Sequence, residues 1–474
     1  MNIRHPFLLT LLLLSECLSV ATQVVPVTSL SPAEMAYSTK RLVYVQNALP
    51  ANYAQRVPKI AVCASGGGLR AMIGTLGFLQ AMQEGELLNL TSYICGLSGS
   101  TWALSGWLQS GTSVSAYLAS LKPRLQQGLL GNVNTDLIMK ELAKKVNDNQ
   151  SISLDDIWGS LIAQKVLSYG PQDDLTQIMV TNYVTLPENA SLPLPVYSCV
   201  TPLAASDNQL YRWIEWTPFD VRCPFLKTAI PLSSLGSQFT NGSVSYASYP
   251  LSLSTAQGIW GSAISADIQD LLIAEAEDVS GSEQTLLDFV ENTLQTNAIL
   301  NDLTSVRALP AQLPNWNYQL QNAIAHHADT LTFVDAGMLC NIPLPPVLDP
   351  LRHVDIIIVV DLTATPDRSL ELTIMQTYAK NNGLPFPVIN TQLLSNVCSV
   401  HPGNPAAGIP TIIYFPLVAN QTYHNGWDPQ TANFTSTFNL QYTPEQIDLL
   451  SGLMHTAYTQ NASTIQAVIE SYIN

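Results

Sequence analysis

The sequence predicts an α/β protein: one large domain on a central mixed, largely parallel sheet flanked by helices. Three observations point there. Residues 354–362 (VDIIIVVDL) form an almost unbroken β-branched run, as expected of a strand buried on both faces. Residues 59–65 (KIAVCAS) are a second apolar run, ending at three glycines, and residues 91–95 (TSYIC) a third, ending at Gly96-Leu97-Ser98-Gly99-Ser100. Each of the latter two leads into a stretch with helical spacing, so strand, turn and helix recur in the order an α/β sheet requires.

The other elements follow along the chain. Residues 69–83 carry the helical period and Gly85 stops them. A second helix runs from the Ser98 turn to Leu108. Residues 196–201 and 212–216 read as strands, 284–298 as helix, and 331–334 as a strand delivering Asp335. Thr443-Pro444-Glu445-Gln446 joins a capping box to a proline at the first helical position and opens a helix to about His455. One domain over residues 22–474 accounts for all of this.

Hydrophobic residues make up 47% of the 474 and charged residues 11%, the balance of a globular chain rather than a disordered or nucleic-acid-coating one. The net charge of −16 disfavours nucleic acid and strongly anionic membranes. Arg4, the apolar run at 7–14 (FLLTLLLL) and Ser19-Val20-Ala21 read as a signal peptide over residues 1–21. A secreted protein is therefore expected; a lipoprotein anchor through Cys17 is the lesser alternative. The six cysteines beyond the signal permit disulfides in an exported chain, with Cys199–Cys223 the first pairing to expect. Cys63 and Cys95, at the ends of core strands, read better as buried thiols. Asn-x-Ser/Thr sequences at Asn89, Asn149, Asn189, Asn241, Asn420, Asn433 and Asn461 suit a glycoprotein, although a Ser/Thr/Asn-rich chain produces some by chance.

The chemistry concentrates in three short blocks. In Gly96-Leu97-Ser98-Gly99-Ser100 small residues flank a serine at a strand-to-helix turn, which pushes its hydroxyl outward. The usual elbow has glycine fifth, where this chain has Ser100, and alone the block could be a plain tight turn. Ser65-Gly66-Gly67-Gly68-Leu69-Arg70 places consecutive glycines before a helix, where free N–H groups can hold an anion such as the oxyanion of ester cleavage. The spacing matches neither a dinucleotide fingerprint nor a P-loop. Phe333-Val334-Asp335-Ala336-Gly337 ends a strand on an aspartate followed by small turn residues; alone it could be a turn or a helix cap.

Together, SGGGLRAM, GLSGSTW and VDAGMLCNIPLPPVL resemble, in this order, the catalytic blocks of the cytosolic phospholipase A2/lysophospholipase (phospholipase B) family. EWTPFD at 215–220, GIWGSA at 258–263, RHVDIIIVVDLTA at 352–364 and NGLPFP at 382–387 are similar too. The resemblance implies a patatin/phospholipase-like catalytic domain with a small lid or cap within 264–330, and a serine acyl hydrolase acting on phospholipid or lysophospholipid at a membrane surface or micelle. No metal, other cofactor, nucleic acid or obligate protein partner is implied. Ser98 matches the nucleophile, Asp335 the base of a serine–aspartate dyad, Gly67 and Gly68 the oxyanion hole, and Arg70 the arginine for substrate phosphate. Arg352 aligns with a further family arginine, and Asn341-Ile342-Pro343 with a run that braces the aspartate loop. A surface ion pair is the bland reading of Arg70. A histidine triad through His353, His401, His424 or His455 is the alternative to the dyad. A patatin-like acyl hydrolase and a catalytically silent lipid-binding protein are the rival readings of the whole chain.

Overall fold

The β-branched run at 354–362 becomes an interior strand of the sheet, parallel to its neighbour on each side. The computed structural model describes residues 23–49, 56–168, 174–203, 210–263 and 310–473. Its sheet strands are β1 (Val25–Pro26), β2 (Ile60–Ala64), β3 (Thr91–Leu97), β4 (Leu194–Pro202), β5 (Tyr211–Trp216), β6 (Asp220–Cys223), β7 (Thr228–Pro231), β8 (Val334–Asp335), β9 (Ile356–Asp361), β10 (Ser399–His401) and β11 (Thr411–Pro416). They join in the order β1-β7-β6-β5-β4-β3-β2-β9-β11-β10, with β8 added to β4. The central strands β4, β3, β2, β9 and β11 are mutually parallel. The flanking pairs are antiparallel. The expected mixed sheet is therefore present, its parallel block at the centre.

The helices that cover it are α1 (Pro32–Ala48), α2 (Gly68–Glu84), α3 (Gly99–Ser110), α4 (Val114–Gln126), α5 (Thr135–Asn147), α6 (Leu154–Val166), α7 (Leu253–Trp260), α8 (Leu370–Asn381) and α9 (Pro444–Ile473). The two-residue period of the strands divides their side chains between two cores. Ile60, Val62, Ile356, Ile358 and Val360 pack with Met72 and Ile73 of α2, Leu104 of α3 and Leu450 of α9. Ala61, Cys63, Ile357, Val359 and Tyr414 face the other way, toward Tyr37 of α1 and Leu372 and Met375 of α8. Both faces are covered, which is why these strands read as continuous apolar runs.

Three expectations change. Helix α9 starts at the expected cap but continues to Ile473, because neither glycine nor proline interrupts residues 453–473 and its apolar stripe goes on through Ile465, Ile469 and Tyr472. The strand expected at 331–334 is split. Thr330–Thr332 pairs with Gln312–Pro314, Phe333 turns inward against Trp216 and Trp316, and Val334–Asp335 joins β4. The Cys199–Cys223 disulfide does not form, since both residues are free thiols. Cys199 lies on β4 and Cys223 on β6 with β5 between them, about 9.6 Å at two strand spacings and too far for a bridge. Trp216 Nε1 instead donates to the Cys199 sulfur at 3.1 Å. The helix expected at 284–298, the signal at 1–21 and residues 264–309 of the expected lid lie outside the described residues.

At the N-terminal edge of the parallel strands sits a buried ionic hub. Arg352, fully buried before β9, grips both Glu34 carboxylate oxygens at 2.8 and 3.2 Å, Glu215 Oε2 at 2.6 Å and Pro346 O at 2.7 Å. Arg222 adds contacts to Asp349 at 2.7 Å and Glu215 at 3.7 Å. The hub fastens α1 and the antiparallel wing to the central sheet, at the opposite end of the strands from Ser98. Arg352 is thus an anchor of the fold. Arg352→Ala leaves two buried carboxylates without their shared cation and should cost about 3–5 kcal/mol in urea unfolding. A loss below about 1 kcal/mol, the level of a surface pair, would contradict the assignment.

Candidate active site

The C-terminal ends of the parallel strands carry the chemistry-bearing residues, as open α/β sheets generally do. Strand β2 runs out into Ser65-Gly66-Gly67, β3 into Ser98 and β9 into Leu362. Hydrogen bonds lash these exits together: Ser65 N donates to Val360 O at 3.0 Å and Leu362 N to Ser65 Oγ at 2.6 Å. Ser100, in place of the usual fifth glycine, donates to Ser65 O at 2.5 Å and shares a hydrogen bond with Thr75 Oγ1 at 2.8 Å. The departure from the elbow pattern is a buried link between elbow and glycine loop.

Ser98 stands at the tip of the turn with φ 50° and ψ −123°. An L-residue holds such a conformation at a cost of order 1–3 kcal/mol. The elbow and the glycine loop touch so closely that a Cβ on Gly99 would lie 1.9 Å from Gly68 O. Gly67 and Gly68 take φ 131° and 60° at the start of α2. Gly66 N is committed to Asn341 O at 3.1 Å. Among the described residues, the N–H groups of Gly67 and Gly68 find no acceptor. They stand beside Ser98 at a helix N-terminus, where the dipole favours negative charge.

Sheet register brings Asp335 to this point. Leu97, just before Ser98, pairs with Ser198, and the next residue, Cys199, pairs with Asp335. The Asp335 carboxyl is fully buried. Oδ1 accepts from Gly337 N at 2.8 Å and Oδ2 from Ala263 N at 3.4 Å, while Asp335 N donates to Ser262 Oγ at 2.9 Å. Burial pushes its pKa from 3.8 up to about 6, against the hydrogen bonds from Gly337, the Ser98 hydroxyl and Ala263 that pull it down. The group is ionised at neutral pH but is a far better base than a solvated aspartate.

Arg70, in the first turn of α2, is buried and makes no surface ion pair. Its Nε donates to Leu362 O at 2.7 Å, and its Nη1 to Thr435 O at 2.5 Å and Thr437 Oγ1 at 3.1 Å. Nη2 lies over Gly67, 2.2 Å from where a Cβ would stand. Burial lowers its pKa to about 10, which leaves it cationic at neutral pH. The histidines lie elsewhere. His401 sits on edge strand β10, bonded to Asn390 N and Ser399 Oγ, each at 3.1 Å. His455 pairs with Glu84 at 2.7 Å, and His353 occupies the turn before β9.

Ser262 and Ala263 belong to the GIWGSA block, but their hold on Asp335 runs through a hydroxyl and a backbone N–H that carry no signature of their own. Asn341 does brace the loops: Nδ2 donates to Gly66 O at 3.3 Å, besides the bond its carbonyl accepts.

A family model described as the lysophospholipase catalytic domain matches residues 60–392. The chain belongs to that family. Similar curated proteins include cytosolic phospholipase A2 zeta of Mus musculus, 24% identical over 91% of this chain and 59% of that protein. The human zeta protein is 25% identical over 88% of this chain and 57% of its own length, and human cytosolic phospholipase A2 beta 25% over 77% and 52%. The chain therefore spans between 52% and 59% of the length of these relatives. Among solved structures, human GIVD cytosolic phospholipase A2 matches with a TM-score of 0.78 at 19% identity, covering 96% of this chain and 69% of that one. The same protein in complex with methyl gamma-linolenyl fluorophosphonate matches at 0.70, covering 94% and 64%. These likenesses establish the fold.

The relatives correct the expectation of secretion. All three are named cytosolic phospholipases A2, which points to a cytosolic location instead. The glycoprotein expectation falls with export, and Asn420 is unsuited to carry a glycan: it is buried, its side chain tied to Gln460 and Thr422.

The raised pKa of Asp335 has a consequence for stability. A folded pKa above the unfolded one means that stability is fully present below about 3.8 and is lost as pH rises through about 6. Asp335→Asn has no charge to bury, so its stability relative to wild type should grow between about pH 4 and pH 7, by up to about 3 kcal/mol. Urea unfolding of both proteins at a series of pH values reads this directly. A gap that shrinks with rising pH would mean that the carboxylate is not desolvated.

Proposed function

We propose that the chain releases fatty acids from glycerophospholipids or lysophospholipids through a Ser98–Asp335 dyad and an acyl-enzyme intermediate. The observation that carries this reading is the fully buried Asp335 carboxyl beside Ser98, which stands on a strained elbow. In the proposed reaction Asp335 takes the Ser98 hydroxyl proton as Oγ attacks the acyl carbonyl. The oxyanion that forms is held by Gly67 N–H and Gly68 N–H. Collapse expels the glycerol oxygen, which takes the proton back from Asp335. Water then attacks the acyl-enzyme with Asp335 again as base, the carbonyl passes through a second oxyanion, and Ser98 leaves reprotonated. Every proton passes through one carboxyl group, and no cofactor enters.

Arg70 would hold the phosphate of the lipid. Three of its N–H groups brace the loops around the glycines, and Nη2, over Gly67, is the donor left for a ligand. One catalytic domain over residues 22–474, with a lid within 264–330, completes the proposal. Substrate would be taken from a membrane surface or micelle.

The test is kcat/KM on a lysophospholipid and on a neutral ester of equal chain length. Ser98→Ala and Asp335→Asn should each abolish turnover of both while the proteins stay folded, because the two residues act as one unit. Arg70→Gln should lose roughly ten- to a hundredfold more on the lysophospholipid than on the ester, and Arg70→Lys should recover part of that. Equal losses on the two substrates would reduce Arg70 to a brace of the glycine loop. Full activity in Asp335→Asn would refute the dyad.

A further inference from the structure

Helix α8 carries a half-buried carboxylate that reaches away from its own helix. Glu371 lies in the first turn, where an acidic side chain ordinarily meets the helix N–H groups. Its Oε2 is instead spent on the aspartate loop, accepting from Asn341 N at 2.7 Å and from Cys340 Sγ at 3.0 Å. Asn341 in turn holds Gly66 from both sides of its peptide unit, its carbonyl accepting from Gly66 N at 3.1 Å and its Nδ2 donating to Gly66 O at 3.3 Å. Gly66 is a thin spacer. A Cβ on it would stand 2.3 Å from Asn341 Oδ1 and 2.9 Å from Ser98 Cβ. On the other flank, Asn341 Oδ1 lies 3.4 Å from where a Cβ on Gly337 would be, next to the Asp335 carboxylate. Asn341 is thus wedged between the glycine loop and the aspartate turn, and Glu371 holds the wedge in.

From these contacts we infer that Glu371 is a positioning residue of the site: through Asn341 it sets the distance between the glycine loop, Ser98 and the Asp335 turn. The inference rests on the proposed Ser98–Asp335 reaction for its kinetic consequences, though not for its structural ones. A charge-assisted bond to Asn341 N is about twice as strong as a neutral one, so the ionised carboxylate is the effective form. The titratable groups that face it are Cys340 on the aspartate loop, Asp361 at the end of β9 and Tyr414 on β11. Burial, then Asp361, raise the Glu371 pKa above its ordinary value, while the bonds from Cys340 and Asn341 lower it.

Three readouts separate positioning from simple helix capping. With a neutral ester, Glu371→Ala should lower kcat about tenfold and leave KM within about twofold, since the acyl chain is bound elsewhere. Glu371→Gln keeps the shape and the acceptor oxygen. It should recover most of kcat, because a neutral acceptor oxygen in the same place still holds Asn341 N and gives up only the charge-assisted part of the bond. Hydrogen exchange at the Gly66 amide needs no turnover. It should quicken in Glu371→Ala and stay slow in Glu371→Gln, with the amides of β9 unchanged in both. Wild-type kcat and KM in Glu371→Ala, with only a lower Tm, would leave Glu371 a helix cap and overturn the inference, as would an unchanged Gly66 exchange rate. If wild type turned over no ester, the reaction reading would fail, and the exchange result would still decide whether Glu371 sets the loop.

Discussion

The constraint on which the site depends is the desolvation of Asp335. In water an aspartate is a poor proton acceptor from a serine, and nothing else described stands within reach to serve. The chain dries this carboxyl by setting it on a short strand against β4. Its side chain shares a face with its pairing partner Cys199, which is fully buried in one core with Tyr197 and Trp216. In that core Tyr197 stacks on Trp260 at 4.2 Å, and Trp216 meets both Trp260 and Phe333 edge-on. Burial alone would push the group toward the neutral acid. Donors from Gly337, Ala263 and Ser98 hold it back, and the balance settles near a pKa of about 6.

Tension at one edge of the sheet is matched by fastening at the other. The C-terminal edge holds a strained serine, a buried charge and glycines with positive φ. The N-terminal edge holds the Arg352–Glu34–Glu215 hub and, just beside it, Asp355 accepting from Lys59 N at 2.9 Å. Between them the strands transmit register. A slip of one residue in β4 against β3 would move Cys199, and Asp335 with it, to the wrong level relative to Ser98. The core therefore acts on the chemistry by fixing a distance, beyond its role in stability.

What the sequence discloses is what side chains encode. The β-branched run gave the central strand and the glycine–serine turns gave both strand-to-helix crossings. Asp335 and Ser98, far apart in the chain, were joined only by the order of their motifs. Other features are carried by backbone or by spacing in three dimensions. The hold of Ser262 and Ala263 on Asp335 uses one N–H in each direction, and Glu371 works through the N–H of Asn341. The antiparallel wing from β5 to β7 was half seen, because its strands are short and interrupted by charged residues that serve the hub. The disulfide and glycan expectations depended on reading the first residues as an export signal. They fell once β5 was found between Cys199 and Cys223 and the relatives proved to be cytosolic enzymes by name.

The central claim is that Asp335 is the base that activates Ser98, and its most direct test is the rate at which a fluorophosphonate modifies Ser98 as a function of pH. That rate reports the first proton transfer without a leaving lipid or a deacylation step. For wild type the account requires a rise governed by one ionisation with its midpoint near Asp335's pKa of about 6. In Asp335→Asn the rate should be flat over the same range and at least about a hundredfold lower, the usual worth of a general base. A variant that keeps the wild-type rate, or keeps the midpoint near 6, would show that another group takes the proton.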